Sequence, residues 1–470
     1  MNGKGQVKIG VVCLARRTFD FEAAHQIYLE KIVTLRAIPN TEWVIHEPLV
    51  IEKDEAQAAA ETIRQAGVDG VIIISGTFHL GHLALIIYET VKQPVLLWAL
   101  KELPYDGGKI RLNSVCGLNL NASNLYKSGC DSYAYCLGDD VDQDWINALR
   151  MKAALSDARI GIAGYRADGF FNISIDDLQA YRNFGILIDH YELSDAMGMS
   201  AAGAAGAPSA PGAPSASGAP RPETAAQSGA KAQSEAAPTV AQIRDTFDCS
   251  CLKDEQVAKV SGAASAMRNL MHKDKLDALA VRCWPEFANQ FGISPCASMS
   301  LLASEGYIVG CEGDVEGTLS MLAAQAASGE TPFLADLSQV DIDQDYALMW
   351  HCGVASPTLW DGHSAKTLDT YFAGGRGVTA GFVMKSGRVS MMRLDTARGK
   401  TRLFVAGGVA VPMEKALTGT YAKVCFDKSV AKVLQSVINN GVAHHVAMVY
   451  GDYTEAFRKF ARLNGFEVIE

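Results

Sequence analysis

Continuous apolar runs alternate with stretches of helical periodicity along the first part of the chain. Residues 7–13 form one apolar run and residues 70–76 a β-branched one ending in Ser75-Gly76. Residues 95–99 form a third run, and residues 21–37 repeat apolar positions at helical spacing. Strands that are apolar throughout, separated by helices, predict a parallel sheet covered on both faces. The pattern restarts near residue 158. Strands are predicted at 159–164, 185–189 and 276–283, with an amphipathic helix over 261–272. Residues 201–239 interrupt this second unit with Ala, Gly, Pro and Ser and almost no large apolar side chains. Such a segment cannot bury a core, so it is expected to be a disordered surface insertion whose deletion leaves stability nearly unchanged.

Beyond residue 345 the texture changes to short strand-like segments between turns at 374–381 and 385–390, closed by a helix over 453–464 and a strand over 466–469. The expected fold class is therefore α/β, with two Rossmann-like doubly wound domains followed by a small antiparallel, β-barrel-like C-terminal domain. The expected domains are 1–157, 158–344 with the insertion inside it, and 345–470.

Composition narrows the functional classes. The net charge is −10, and Lys and Arg are interspersed with acids, so no basic footprint for nucleic acid is present. No apolar run approaches the roughly 18 residues needed to cross a bilayer. Met1 to Gln6 lead straight into the first strand without the apolar core of a signal peptide, so a cytoplasmic protein is expected. The 11 cysteines are scattered without close metal-binding spacing and read as reduced, mostly buried thiols. Glycine-rich stretches at 76–81 and 374–377 match no phosphate-binding pattern and read as turns.

Chemistry concentrates in the second half. Glu312 follows a predicted strand at 307–311, where groups at carboxyl ends of strands face the ligand crevice of an open α/β sheet. Asp314, two residues on, is placed to cap the following helix. Asp336 ends another strand-like segment, His351 ends a third, and His444-His445 lie in an apolar segment near the C-terminus. Each of these residues alone has a structural reading. Two carboxylates and two or three imidazoles together form a donor set suited to a hard or borderline divalent cation.

This set resembles the L-fucose isomerase and L-arabinose isomerase superfamily. Glu312 in its Glu-Gly-Asp setting is similar to both branches. An aspartate at the position of Asp336 is like the fucose type, a histidine near His351 is like the arabinose type, and the C-terminal His-His is like both. Cys283-Trp284-Pro285-Glu286, Pro295-Cys296 and Cys311-Glu312-Gly313-Asp314 extend the likeness. The resemblance implies an aldose–ketose isomerase working through a cis-enediol, with Mn²⁺ or another divalent cation as cofactor. It implies Glu312 and Asp336 as both metal ligands and catalytic acid–base pair. His445, or alternatively His444, is the imidazole ligand, and His351 is a fourth ligand or a partner to a substrate hydroxyl. His444, Trp284, Glu286 and Arg166 are assigned to the sugar, although Glu286 also reads as a salt-bridged surface residue. A homo-oligomer, hexamer or trimer, is implied as well.

Two other readings compete. Arg16, Arg17 and Arg166 near loop starts could recognise an anionic substituent, which would make the substrate a sulfonated or phosphorylated sugar. Two facing α/β layers also describe non-catalytic sugar-binding or regulatory proteins. The paired carboxylates and histidines speak against that last reading.

Overall fold

In the computed structural model, which describes residues 5–130, 132–156, 158–199, 238–371 and 375–470, the first apolar runs become the strands Val7–Leu14, Gly70–Ser75 and Val95–Ala99. They are buried almost throughout because they occupy the middle of a five-stranded parallel sheet. The order is Thr41–Val50, Val7–Leu14, Gly70–Ser75, Val95–Ala99, Ala134–Leu137. This 2-1-3-4-5 order is that of a doubly wound sheet. The edge strand Thr41–Val50 carries Pro48, which has no N–H to give the ladder, and its pairing with Val7–Leu14 shifts register between Val11 and Cys13. Asp20 caps the helix Phe21–Arg36 by accepting the Ala23 N–H at 3.1 Å, and Ala24, Tyr28, Ile32 and Leu35 form its buried stripe. Residues 455–466 group with this unit of residues 5–153, where Lys459 pairs with Asp142 at 2.6 Å.

The second unit takes in the described residues of 154–454 together with 467–470. It contains a four-stranded parallel sheet in the order Leu187–Tyr191, Arg159–Ala163, Ala278–Val281, Ile308–Cys311. The strand expected at 185–189 begins two residues later because Gly185, at φ 73°, is the left-handed cap of the helix Asp177–Phe184.

The same unit holds a nine-stranded mixed sheet. Its order is Thr367–Asp369, Thr379–Val383, Thr420–Phe426, Tyr346–His351, Phe333–Asp341, His445–Tyr450, Gly387–Ala397, Lys400–Val411, Glu467–Ile469. Thr420–Phe426 also pairs with Lys400–Val411, so the hydrogen-bonded path through six of these strands returns to its start. The sheet is not purely antiparallel as expected. Thr379–Val383 runs parallel to Thr420–Phe426, and Glu467–Ile469 parallel to Lys400–Val411. Neither pair is joined by a tight turn, and only tight turns force antiparallel pairing. The strand Phe333–Asp341 precedes the expected boundary at 345, yet it hairpins with Tyr346–His351.

Residues 201–237 of the expected insertion lie outside the described residues. Its last two do not: Thr239 caps the helix Val240–Thr246 in a reciprocal capping box with Gln242, and the Pro238 carbonyl accepts from Ser261 Oγ at 2.6 Å. Among the described residues, no helix is long and apolar enough to cross a membrane.

One buried carboxyl sets a pH dependence of stability. Glu316, near the start of the helix Val315–Ser328, accepts the Thr396 N–H at 3.1 Å. Burial pushes its carboxyl up to about 7, against the opposing charge of Arg393 and the hydrogen bonds of Thr396. The folded chain thus keeps a proton that the unfolded chain releases near 4.5. Stability is lost as pH rises from the unfolded to the folded value, by about 3 kcal/mol in all. Glu316→Gln is expected to gain on the wild type by that amount between pH 5 and pH 8 in urea unfolding. A difference that stays flat with pH would refute the shift.

Candidate active site

The strand Ile308–Cys311 delivers Glu312 to its carboxyl end, beside the carboxyl end of Ala278–Val281, which leads to Trp284. The turn is tight. Glu312 adopts φ 63° and Gly313 φ 72°, and a Cβ on Gly313 would lie 2.2 Å from the Tyr165 carbonyl oxygen. A left-handed non-glycine residue is strained, and such strain is commonly held at functional positions. The turn hands the chain to Asp314, which caps the helix Val315–Ser328 by accepting the Gly317 N–H at 2.9 Å, as the sequence led us to expect.

Sheet register supplies the other groups. Asp336 sits directly opposite His445 on one side and opposite Trp350 on the other. Facing residues of antiparallel strands project on the same side, and His351 ends the strand that carries Trp350. His445 Nε2 lies 3.5 Å from a Glu312 oxygen and 3.5 Å from Asp336 Oδ1. Donor atoms of Glu312, His351 and His445 lie within 4.8 Å of one another, as do those of Asp336, His444 and His445. The five residues singled out along more than a hundred positions of sequence therefore converge.

Hydrogen bonding separates the adjacent histidines. His445 is fully buried, and its Nδ1 lies 2.9 Å from Asp314 Oδ2. The proton therefore sits on Nδ1, and Nε2 turns a lone pair toward Glu312 and Asp336. His444 accepts the Asn172 amide at Nδ1, 3.1 Å away, and donates from Nε2 to Glu312 at 3.3 Å. Phe170 packs edge-on against both His444 and Trp284. His351 Nδ1 accepts the backbone N–H of Cys352 at 2.9 Å, which puts the neutral ring's proton on Nε2.

Beneath His445 lies a fully buried ion pair that sequence reading missed. Arg393 holds Asp314 with two nitrogens, at 2.7 and 3.2 Å, and donates to the His445 carbonyl at 3.1 Å. Its signal was a lone arginine in the apolar strand segment Met391-Met392-Arg393-Leu394, since a buried charge needs a partner. Around the cluster, Cys283, Cys296, Cys311 and Cys352 are all buried free thiols.

The electrostatics match a cation site. Burial alone would raise the Glu312 carboxyl, but the His444 hydrogen bond and the charges of the three histidines hold it below the usual range. Burial alone would lower the His445 imidazole, yet Asp314, Asp336 and Glu312 outweigh it and raise it. Burial holds the His351 ring below its ordinary value. Among the described residues, Asp336 Oδ1, His351 Nε2 and His445 Nε2 are buried atoms without a hydrogen-bond partner. Of these, Asp336 Oδ1 and His445 Nε2, 3.5 Å apart, fit a divalent cation of the borderline to hard class together with the Glu312 carboxylate.

These groups open on a cavity of about 600 Å³ lined by Trp284, Trp350, Glu312, Asp336, His351 and Arg376 among others. Three residues expected at the sugar, Glu286, Arg166 and His444, do not line it. Glu286 pairs with Arg282 at 3.3 Å. Arg166 donates to Ser174 Oγ at 2.7 Å and lies over the Phe171 ring. Each is engaged by near neighbours in sequence. His444 meets the site through Glu312 rather than through the cavity wall.

Residues 10–144 match the fucose/sulfoquinovose isomerase N-terminal domain, and residues 361–470 match the L-fucose isomerase C-terminal domain. The chain belongs to the L-fucose isomerase family. It is accordingly an aldose–ketose isomerase, which sets aside the non-catalytic reading. Family relatives match along nearly the whole length. The chain is 27% identical over 464 residues to sulfoquinovose isomerase of Priestia aryabhattai, covering 97% of each chain, and equally to that of Priestia megaterium (strain ATCC 12872 / QMB1551). It is 26% identical over 465 residues to sulfoquinovose isomerase of Alkalicoccus urumqiensis, covering 97% of this chain and 98% of the relative.

Proposed function

We propose that the chain is a divalent-metal-dependent isomerase converting a sulfonated aldose to its ketose. The observation that carries the metal reading is the convergence of the Glu312 carboxylate with the orphaned Asp336 Oδ1 and His445 Nε2. The sulfonated substrate is supported by full-length relatives named sulfoquinovose isomerase, so the modified-sugar reading is preferred over a neutral aldose.

Glu312, Asp336 and His445 Nε2 would hold the cation, with Mn²⁺ the best match to two carboxylates and an imidazole. A cation there supplies electrostatic stabilisation of the negative charge that develops on the sugar's O1 and O2. Glu312 and Asp336 serve as the proton-transfer pair. One carboxylate takes the proton from C2, giving a cis-enediol, and a proton is returned to C1. The hydroxyl proton leaves O2 as O1 gains one, so aldose and ketose differ only in where two hydrogens sit. His444 donates to Glu312 and keeps it ionised and oriented. His351, with its proton on Nε2, is better placed to donate to a substrate hydroxyl than to serve as a fourth ligand. Trp284 and Trp350 give the sugar apolar walls. The closed six-strand path supports the barrel-like reading of the C-terminal part, and a cytoplasmic homo-oligomer goes with the same reading.

Metal analysis of purified variants tests this assignment. His445→Ala is expected to lose bound metal, whereas His351→Gln keeps it and loses turnover. Wild-type protein that takes up no divalent cation after loading would contradict the site. Loss of metal in His351→Gln would restore it to the ligand set.

A further inference from the structure

The cavity has a polarity that the proton-transfer groups do not explain. Two carboxylates line it, and among its described lining residues Arg376 is the one cation. Arg376 is exposed and has no carboxylate within ion-pair distance among the described residues. Its one hydrogen-bonded side chain is neutral: Asn289, also lining the cavity, accepts from Nη2 at 2.9 Å. Among the described residues that contact leaves the guanidinium's charge uncompensated and engages Nη2 alone, which orients the group. Every other arginine proposed for anion recognition is otherwise engaged or lies outside this cavity wall.

We infer that Arg376, held by Asn289, forms the subsite for the substrate's sulfonate. This rests on the isomerase reading above. With Glu312 and Asp336 taken up by the cation proposed above, Arg376 is the positive charge left on the described lining for a singly charged sulfonate. One guanidinium with a neutral partner matches a monoanion, and its forked N–H groups suit two oxygens of a tetrahedral acid group. A dianionic phosphate monoester would leave one charge unmatched.

Binding of non-reacting alditols separates this inference from the isomerase reading. The probes are a 6-deoxy-6-sulfo-hexitol, the corresponding hexitol and its 6-phosphate, titrated calorimetrically against metal-loaded wild type, Arg376→Gln, Arg376→Lys and Asn289→Ala. Wild type is expected to prefer the sulfonated alditol to the neutral one by roughly 10- to 100-fold, the range of a charge-assisted contact. Arg376→Gln should erase that preference, Arg376→Lys should keep part of it, and affinity for the neutral alditol should not move. Equal affinity for the sulfonated and neutral probes in wild type, or a preference that survives Arg376→Gln, would overturn the inference. Tighter binding of the 6-phosphate would overturn the sulfonate assignment. A wild type that binds the sulfonated probe through Arg376 but turns over no sulfonated aldose would sustain the subsite and defeat the proposed reaction.

Discussion

Glu312→Gln is expected to lower kcat by roughly two to four orders of magnitude, the usual weight of a positioned acid–base group, while the protein remains folded. The substitution keeps the shape of the side chain but removes its charge and basicity. The carboxylate is ionised in the folded state, because His444 and the neighbouring imidazoles hold it below the ordinary range. An amide there can accept the His444 N–H but cannot take a proton from carbon. The backbone at φ 63° is held by the Ala167 N–H on the Glu312 carbonyl and by the Gly313 N–H on the Val281 carbonyl, each at 3.0 Å, rather than by the carboxylate, so unfolding is not the expected cause of the loss. Circular dichroism and a thermal melt close to wild type, with turnover reduced a thousandfold, would bear this out. Turnover within tenfold of wild type would remove Glu312 from the chemistry.

Asp314→Ala is expected to do more damage to the fold than any substitution at the cavity wall. Asp314 caps a helix, pairs with Arg393 through both oxygens, and orients His445, all with both charged side chains at 0% exposure. Removing it leaves the Arg393 guanidinium buried without its main counter-charge. Breaking a buried pair on one side typically costs about 3–5 kcal/mol, and the lost cap adds about 1 kcal/mol. His445 also loses the partner that keeps its Nε2 lone pair turned to the site. Second partners of metal-bound histidines are commonly worth about 10- to 100-fold in metal affinity. Asp314→Leu combined with Arg393→Met should recover much of the stability, since no charge is then stranded, but not the metal affinity. Stability and metal affinity that recover together would show that Asp314 acts only through packing.

Much of this site was legible before the fold was known. Glu312, Asp336 and His445 stood out because carboxylates at strand ends and paired imidazoles in apolar segments are costly unless they share a task. The parallel sheets were legible because their central strands are apolar on both faces. Other parts left weaker traces. The edge strand Thr41–Val50 is half-buried and carries charges and a proline, so its pattern reads as loop. Asp314 could be recognised as a cap, but its bonds to His445 and Arg393 join residues 131 and 79 positions away, and periodicity carries no such information. Arg166 and Glu286 sat in promising positions, but Arg166 turns to Ser174 and Phe171, and Glu286 to the charge of Arg282. Arg376 lay in a glycine-rich turn that gave no sign of facing a cavity. The mixed sheet escaped notice because strand direction depends on connections that alternation does not record.

The central claim is that this cavity moves a proton between C1 and C2 of a sulfonated aldose. Proton NMR of 6-deoxy-6-sulfoglucose incubated with the metal-loaded protein in D₂O tests it most directly. The account predicts the sulfonated ketose as product, deuterium at its C1 in proportion to exchange of the carboxylate-held proton with solvent, and loss of both signals after chelation or in Glu312→Gln. An aldose that persists unchanged, with no ketose formed by the loaded wild type, would contradict it.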